Sequence, residues 1–431
     1  MNVGLARNWL NGVLSLFKKS VFNSESRGFQ SMILFAAWIG AMGLNFLGSI
    51  LTTRLLGPDL YGDLKFIQTI WMLLSILSTI GLIQSGSRVL LLERDPALSK
   101  EAVGAVLTLA LIMGILVGTV TAVIAYPADY LFHARVAPLM LGLAPLAIGF
   151  TLRDALILIL QSTNQINVMA ALEFFPSLLY VLALYSISRT TVISTGIALA
   201  TQQVTLLVAA LVVIVLVRPR FGSFQHYLRL IRKENATYGF PIYKGMIAST
   251  ATSYVNRLSI SYWVDNAGIG FFSLASTITE PFRLVPNAAG ITSFRSFADQ
   301  RHISKKILWP TIISSSVALL ATWLFISPVL SWFYPKGFSS VGPMVKLLAV
   351  GAVAQGFGDL LNRFLGAHGQ GVKLKNVAYL VGGVNILGLL FLTPFLKVNG
   401  VVITAILAGL SNMIFMFMTY KRLFGKSDDI Q

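Results

Sequence analysis

The sequence predicts an all-α, polytopic membrane protein of about twelve transmembrane helices arranged as two six-helix bundles. Three observations predict this fold class: hydrophobic residues make up 55% of the chain, charged residues only 11%, and the mean hydropathy is +0.76. Soluble domains carry about 25% charged residues, so a soluble core could not bury this much apolar sequence. A span needs roughly 20 mostly apolar residues to cross the hydrocarbon layer.

The apolar segments, taken in order, define the domain organisation. Residues 1–30 lack the apolar stretch of a cleavable signal and are expected to be either an interfacial amphipathic helix or a tail without fixed structure. The first bundle covers 31–217, a basic linker 218–238, the second bundle 239–420, and a tail 421–431. The spans are expected at 31–53, 66–88, 103–126, 138–160, 168–188, 194–217, 239–262, 270–292, 309–330, 343–364, 376–396 and 400–420.

The distribution of Lys and Arg predicts the orientation of the chain. The basic residues behind the formal net charge of +17 are scattered between apolar spans and form no continuous stripe, so they do not indicate nucleic-acid binding. Most of them lie in the linker, both termini and the other connections on one side. By the positive-inside rule, both termini are predicted to be cytoplasmic.

The two halves are predicted to be a parallel repeat. Each half begins with Gly-Phe, and a pair of glycines follows about 30 residues later; these residues are Gly28, Gly57 and Gly62 in the first half, and Gly239, Gly268 and Gly270 in the second. With six spans each, both halves would start on the same side. They would be related by a pseudo-two-fold axis along the membrane normal, with a substrate site between them.

Charged residues within the spans are the main candidates for function, because a charge at membrane depth is costly and by default faces a cavity or a partner. The cations are Arg153, Lys244, Arg257, Arg283 and Arg363; the carboxylates are Asp154, Glu173, Glu280 and Asp359. Glu280 with Arg283, and Asp359 with Arg363, have spacings that permit pairing on one helix, so these four either neutralise one another or serve a ligand. Arg153 and Asp154 point about 100° apart, which predicts partners on other helices.

Span 7 is polar around its whole circumference and is therefore predicted to line a hydrated cavity at the interface of the halves. Its polar residues are Lys244, Ser249, Thr250, Thr252, Ser253, Asn256, Arg257, Ser259 and Ser261. On span 10, Gln355, Asp359 and Arg363 form a second polar face. Apart from Arg257, the cations fall in the predicted cytoplasmic half of the membrane. Clustered cations in a low dielectric favour an anionic ligand that enters from the cytoplasm, and Arg suits phosphate.

Several chemistries are disfavoured by the sequence. The chain has no cysteine, so thiolate metal sites and cysteine nucleophiles are excluded, and the four histidines have no metal-ligand spacing. Gly425-Lys426-Ser427 lacks the first glycine and the strand of a Walker motif. The predicted outer connections are short, which argues for passage through the membrane and against an enzyme.

The connection after span 1 reads RLLGPDLYG, from Arg54 to Gly62, and resembles the RLLGPxxYG signature of polysaccharide-transport proteins of the O-antigen flippase type. A second resemblance lies at the start of the other half: Tyr238-Gly-Phe-Pro241, then Asn256-Arg257, then GIGFFSLA from Gly268 to Ala275. Asn256 stands where the family usually has Asp, and Phe272 where it usually has Tyr. If that Asp takes part in ion coupling, its replacement puts this role in doubt here.

The resemblance implies a V-shaped pair of six-helix bundles around a central cavity, in the bacterial cytoplasmic membrane. It implies flipping of a polyprenyl-diphosphate-linked oligosaccharide to the outer leaflet, with membrane lipids and possible polysaccharide polymerase machinery as further partners. Under this hypothesis the five cations and Asn256 bind the anionic substrate. Asp154, Glu173, Glu280 and Asp359 are candidates for H⁺ or Na⁺ coupling, and no other cofactor is expected.

Two other classes of function stay open. A cation-coupled multidrug exporter of the same superfamily would have the same architecture, but the excess of cations within the spans disfavours cationic cargo. A membrane-embedded glycosyltransferase or polymerase would need an acidic metal-binding loop or a basic external loop, which the sequence does not offer.

Overall fold

A computed structural model describes residues 27–247, 252–297 and 299–424, and all regular structure within these ranges is helical. The predicted interfacial segment up to residue 26, Ser249 and Thr250 of span 7, and the tail from 425 lie outside the described residues. The helices are α1 Arg27–Thr79, α2 Leu82–Leu92, α3 Pro96–Phe132, α4 Ala137–Leu143, α5 Ile148–Ser162, α6 Ile166–Ser188, α7 Thr195–Val217, α8 Phe224–Glu234, α9 Phe240–Met246, α10 Thr252–Trp263, α11 Asn266–Phe297, α12 Lys305–Phe333, α13 Val341–Ala367, α14 Gly371–Leu396 and α15 Val398–Phe424.

The predicted all-α membrane fold is confirmed. Within the described residues, nine helices are long and apolar enough to cross a membrane, and the first of them contains predicted span 1 and the first part of predicted span 2. The total of about twelve spans stays a prediction. Following the predicted orientation, we call the end of the bundles near Gly57 the outer end, and the end near the linker the inner end.

The connection predicted between spans 1 and 2 is helical, which corrects the sequence-based boundaries there. Helix α1 runs through span 1 and into span 2, and its only residue with non-helical dihedral angles is Gly57, whose backbone (φ 72°, ψ −179°) is in a region that favours glycine. Pro58 then starts the next helical segment, a position where its missing N–H costs nothing. Residues 58–65 therefore form the first turns of span 2 and lie on its helix surface.

Both halves show the same order of helix packing. In the first half, α1 packs on α6, α6 on α7, and α5 on α3 and α7. In the second half, the corresponding pairs are α10 with α14, α14 with α15, and α13 with α12 and α15. A parallel repeat predicts this correspondence. Between the halves, the most extensive contact joins α1 to α11.

The linker contains helix α8, which lies against the inner face of the first half. Its Tyr227 and Ile231 side chains are buried, and the Tyr227 hydroxyl donates to the carbonyl of Leu98 at 2.9 Å. Burial raises the pKa of the Tyr227 phenol, and the nearby carboxylates of Glu93 and Glu101 add to this rise. The phenol therefore stays protonated as a hydrogen-bond donor.

The structure describes span 7, predicted as one helix over 239–262, in two pieces on either side of residues 248–251. The inner piece, α9, contacts the first half: the Tyr243 hydroxyl donates to the Leu77 carbonyl at 2.9 Å, and Gln84 Nε2 lies 3.3 Å from Met246 Sδ. The outer piece, α10, packs against α11, α14 and α15 of the second half and also against α1 and α3 of the first. Span 7 therefore bridges the two halves.

Candidate functional site

The RLLGPDLYG segment closes the outer end of the interface between the halves. Arg54 donates from Nε to the Phe333 carbonyl and from Nη2 to the Trp332 carbonyl, both at 2.8 Å. These carbonyls end helix α12, where cations are favoured. Tyr61 is 1% exposed and packs edge-on against the Phe338 ring, with 5.9 Å between ring centroids.

Glycines allow the two backbones to meet at this outer seal, which comprises residues 54–63, 266–270 and 332–338. A Cβ atom on Gly62 would lie 2.0 Å from the Asn266 carbonyl oxygen, and one on Gly270 would lie 3.2 Å from the Gly62 nitrogen. Asn266 Nδ2 also donates to Asp63 Oδ1 at 2.7 Å. Because both halves contribute backbone and side chains, the outer end is closed.

A second junction, which we call the inner latch, joins α2 to residues 234–243. Ser85 Oγ donates to Asn235 Oδ1 at 3.0 Å, and Asn235 Nδ2 donates to the Ile80 carbonyl at 3.1 Å. A Cβ on Gly239 would lie 2.2 Å from the Gly81 carbonyl oxygen, so the close approach requires glycine there. The latch holds the inner end of span 7 on the first half.

An ion pair borders the inner latch, and its removal should have little effect. Arg88 Nε lies 2.9 Å from Glu234 Oε1, and its guanidinium lies 4.4 Å from the Tyr238 ring centroid. The Arg88 side chain is 43% exposed, and exposed pairs contribute about 0–1 kcal/mol. We expect Glu234→Gln to change the transport rate by less than about threefold, measured in vesicles. A tenfold loss would show that the pair itself holds the latch.

The first half gathers one cation and two carboxylates between α5 and α6. Arg153 Nη2 donates to Glu173 Oε2 at 2.6 Å, which confirms a partner on another helix. Its Nη1 also lies 3.3 Å from Asp154 Oδ1, a longer local contact, so the guanidinium reaches both carboxylates. The Asp154 side chain is 54% exposed and the Glu173 side chain 17%, so Asp154 is the more accessible carboxylate.

The second half has a corresponding cluster between α11 and α13. Arg283 Nε donates to Asp359 Oδ2 at 2.9 Å, and Gln355 Nε2 donates to Asp359 Oδ1 at 3.1 Å. Glu280 lies 3.9 Å from Arg283, so this self-pairing is present but long. The pairing considered between Asp359 and Arg363 does not form, because Arg363 Nε instead donates to Asn287 Oδ1 at 3.0 Å.

Arg257 lies where the halves meet, and within the described residues it makes no ion pair. Its Nε is buried without a hydrogen-bond partner, and its electrostatic neighbours are Tyr61, Tyr254 and Glu280, the last beyond the 4.0 Å of a salt bridge. Another neighbour is a cation, Lys65, on α1 of the opposite half. Lys65 and Arg257 therefore both lie near Tyr61, from opposite halves, and neither forms a salt bridge with a described residue.

Sequence reasoning missed Lys65, because the predicted boundary of span 2 left it in a connection. Lys65 Nζ donates to Gln68 Oε1 at 3.1 Å and lies 5.3 Å from the Tyr61 ring centroid. Gln68 in turn donates to Gln202 on α7. Polar residues at positions 61, 65 and 68 share one helix face, and this spacing could have indicated the site if the helix had been extended to residue 58.

The two remaining predicted site residues differ in environment. Asn256 is 6% exposed, and its Oδ1 is buried without a hydrogen-bond partner among the described residues. Lys244 on α9 is exposed, and its Nζ lies 5.1 Å from the Phe240 ring centroid. Asn256, next to Arg257 in sequence, is therefore buried, whereas Lys244 is exposed and lies toward the inner end.

A crevice of about 390 Å³ opens between α1, α2, α5 and the inner piece of span 7. Its walls are mostly apolar, and the Asp154 carboxylate forms part of them. The other polar side chains there are short hydroxyls, an amide and a phenol. The lining includes Ile76, Ile83, Ala155, Leu158, Ile242 and Met246.

Residues 30–294 match the family model described as polysaccharide biosynthesis protein, which covers more than half of the chain. The chain belongs to the polysaccharide biosynthesis protein family. The predicted family resemblance is thereby confirmed, and the match includes both quoted motifs. No curated protein sequence matches the chain significantly.

Solved structures of transporters share the fold of this family member. An inward-facing multidrug resistance transporter of the MATE family, in the MOP superfamily, has a TM-score of 0.70 at 15% identity, covering 92% of this chain and 99% of that chain. The lipid II flippase MurJ, in an inward closed conformation, has a TM-score of 0.69 at 13% identity, with coverages of 91% and 87%. An outward-facing MATE structure gives 0.58 at 14% identity, with coverages of 92% and 95%.

Proposed function

We propose that this protein flips a polyprenyl-diphosphate-linked oligosaccharide between membrane leaflets by alternating access. The observation that carries the proposal is the pair of cations at the junction of the halves, Arg257 and Lys65. Like charges in a low dielectric repel, so a diphosphate between them would relieve the repulsion and accept hydrogen bonds from both. The family's link to polysaccharide biosynthesis and the flippase with the same fold support this substrate class.

The other intramembrane charges divide into separate roles under this proposal. Arg153 and Arg283 are already neutralised by carboxylates at 2.6 and 2.9 Å, so they contribute less to anion binding than Arg257. Arg363, whose partner is a neutral amide, offers a further cation for the glycan diphosphate on its path. Asp154 and Glu280, with side chains 54% and 55% exposed, suit proton or sodium coupling better than the paired Glu173 and Asp359.

The proposal is tested in proteoliposomes that contain a fluorescent polyprenyl-diphosphate oligosaccharide. Each charge-assisted hydrogen bond contributes about 1.5–3 kcal/mol, so Arg257→Gln and Lys65→Gln should each reduce flipping about 10- to 100-fold. Lys397→Gln removes the same charge from an exposed position at the outer end, apart from the outer seal, and should leave the rate unchanged. Unimpaired flipping in a variant without Arg153, Lys244, Arg257, Arg283 and Arg363 would overturn the proposal.

A second candidate, export of lipophilic cations, is favoured by one observation. The Asp154 carboxylate borders the apolar crevice, and an apolar site with one carboxylate suits a hydrophobic cation. Deleting the gene distinguishes the two candidates. If the protein is a flippase, the deletion should cause loss of surface polysaccharide. Resistance to cationic dyes that disappears in Asp154→Asn would instead support export.

A further inference from the structure

A groove of about 570 Å³ lies between the inner ends of α14 and α15, on helices distinct from those that carry the central cations. Its apolar lining comes from Val377 and Leu380 on α14, and from Phe415 and Met418 on α15. The spacing of three residues within each pair places both members on one helix face. Leu380 and Met418 are 53% and 60% exposed, so the wall is open to an apolar ligand.

Cations stand at the end of this groove. Lys421 and Arg422, in the last turn of α15, line it, and neither forms a salt bridge with a described residue. Lys373 and Lys375 follow in the first turn of α14, at the same end of the bundle. The preference for cations at a helix C-terminus and on the inner side of a membrane is enough to explain these basic residues. It does not explain a recessed apolar groove that leads to them.

We infer that this groove binds an anionic phospholipid of the inner leaflet. The acyl chain would lie along the four apolar side chains, and the headgroup phosphate would accept hydrogen bonds from Lys421 and Arg422. Arg binds phosphate through paired N–H groups, and basic pockets between transmembrane helices at this membrane face suit acidic headgroups. A groove of this volume falls within the range of small-ligand sites.

A bilayer phospholipid fits this groove because the groove combines an apolar wall with cations at the inner membrane face. Free phosphate would contact the cations but not the apolar wall. A zwitterionic lipid would contact the wall, but it has no net charge to be attracted by two cations that form no salt bridge with a described residue. The groove is formed by α14 and α15, whereas the proposed diphosphate site lies on α1 and α10. The inference therefore does not depend on the proposed function.

The test uses the full chain in nanodiscs that contain phosphatidylglycerol with a photoreactive group in its acyl chain. We expect cross-linked peptides from α14 and α15. The double variant Lys421→Gln/Arg422→Gln should lower this labelling about 30-fold, at about 1 kcal/mol per basic residue near the surface. The matched control, Lys305→Gln/Lys306→Gln, removes two consecutive exposed cations from the start of α12 and should label as the native chain does.

A second variant, Thr419→Trp, fills the groove without a change of charge and should also lower labelling. Phosphatidylcholine carrying the same photoreactive group should label weakly, and inorganic phosphate should not compete. Equal labelling by both lipids, unchanged labelling in the double variant, or stronger competition by polyprenyl diphosphate than by phosphatidylglycerol would overturn the inference. The thermal unfolding temperature of each variant is measured in the same nanodiscs, so a folding failure is recognised separately.

Discussion

Replacing Gly62 with alanine is expected to open the outer seal and to reduce transport about 30-fold. The new Cβ would lie 2.0 Å from the Asn266 carbonyl oxygen, and this oxygen belongs to backbone that cannot rotate away as a side chain does. Overpacking of this kind costs about 1–3 kcal/mol, and about 2 kcal/mol corresponds to 30-fold in an equilibrium. The cost falls only on states in which the outer end is closed, so the equilibrium shifts toward outward-open states.

Thiol labelling from the outside measures this shift, because the chain has no native cysteine. Ser49 is buried at the seal, where its Oγ lies 2.9 Å from the Tyr334 hydroxyl oxygen, so Ser49→Cys reports on opening. We expect faster reaction with an impermeant maleimide when Gly62→Ala is added. Gly43→Ala, on the same helix in open space, is the control and should change neither labelling nor transport. Slow labelling together with normal transport in Gly62→Ala would contradict the role of the seal.

The second large effect is expected at the inner latch, for Gly239→Ala. Its Cβ would lie 2.0 Å from Ser85 Oγ and 2.2 Å from the Gly81 carbonyl oxygen. The serine hydroxyl can rotate, but the carbonyl belongs to a tight turn in which Gly81 has φ +78°. We expect α9 to separate from α2 at a cost of about 1–3 kcal/mol, with a loss of transport of about tenfold or more.

Met246→Cys reports on this separation, since the Met246 side chain contacts Gln84 of the first half. Its labelling from the inner side should become faster when Gly239→Ala is present. Gly245→Ala, on the same short helix with open space around its new Cβ, should leave both labelling and transport unchanged. If Gly239→Ala behaves like Gly245→Ala, the latch has no part in the transport cycle.

Hydropathy was sufficient for the fold class, because lipid requires long apolar helices whatever their contacts. Helix boundaries near Gly57 were misjudged, since a Gly-Pro pair usually ends a helix. Here the two helical segments are separated only by the kink at Gly57, so almost no residue between the spans is non-helical. The motif from Arg54 to Gly62 was recognised as a family marker, but its role in sealing the outer end depends on partners near Asn266 and Phe333, about 200 residues or more away in sequence.

The charged residues within the spans could be identified from the sequence, but their pairing could not. Spacing on one helix favoured Asp359 with Arg363, yet Asp359 pairs with Arg283 because α11 and α13 pack closely and bring that guanidinium nearer. The unpaired state of Arg257 depends on which side chains the opposite half presents, and no periodicity along span 7 contains that information. Lys65 was hidden by a boundary error of only a few residues.

The contacts of α8 and α9 change how conformations of this protein should be compared. Because α8 and α9 are anchored to the first half, the body that moves with that half extends to about Ile247, well past the linker. A superposition on two equal six-helix units would therefore mix residues from both moving bodies and blur the rotation between them. Fitting residues 27–247 and 252–424 separately gives the rotation axis that the contacts define.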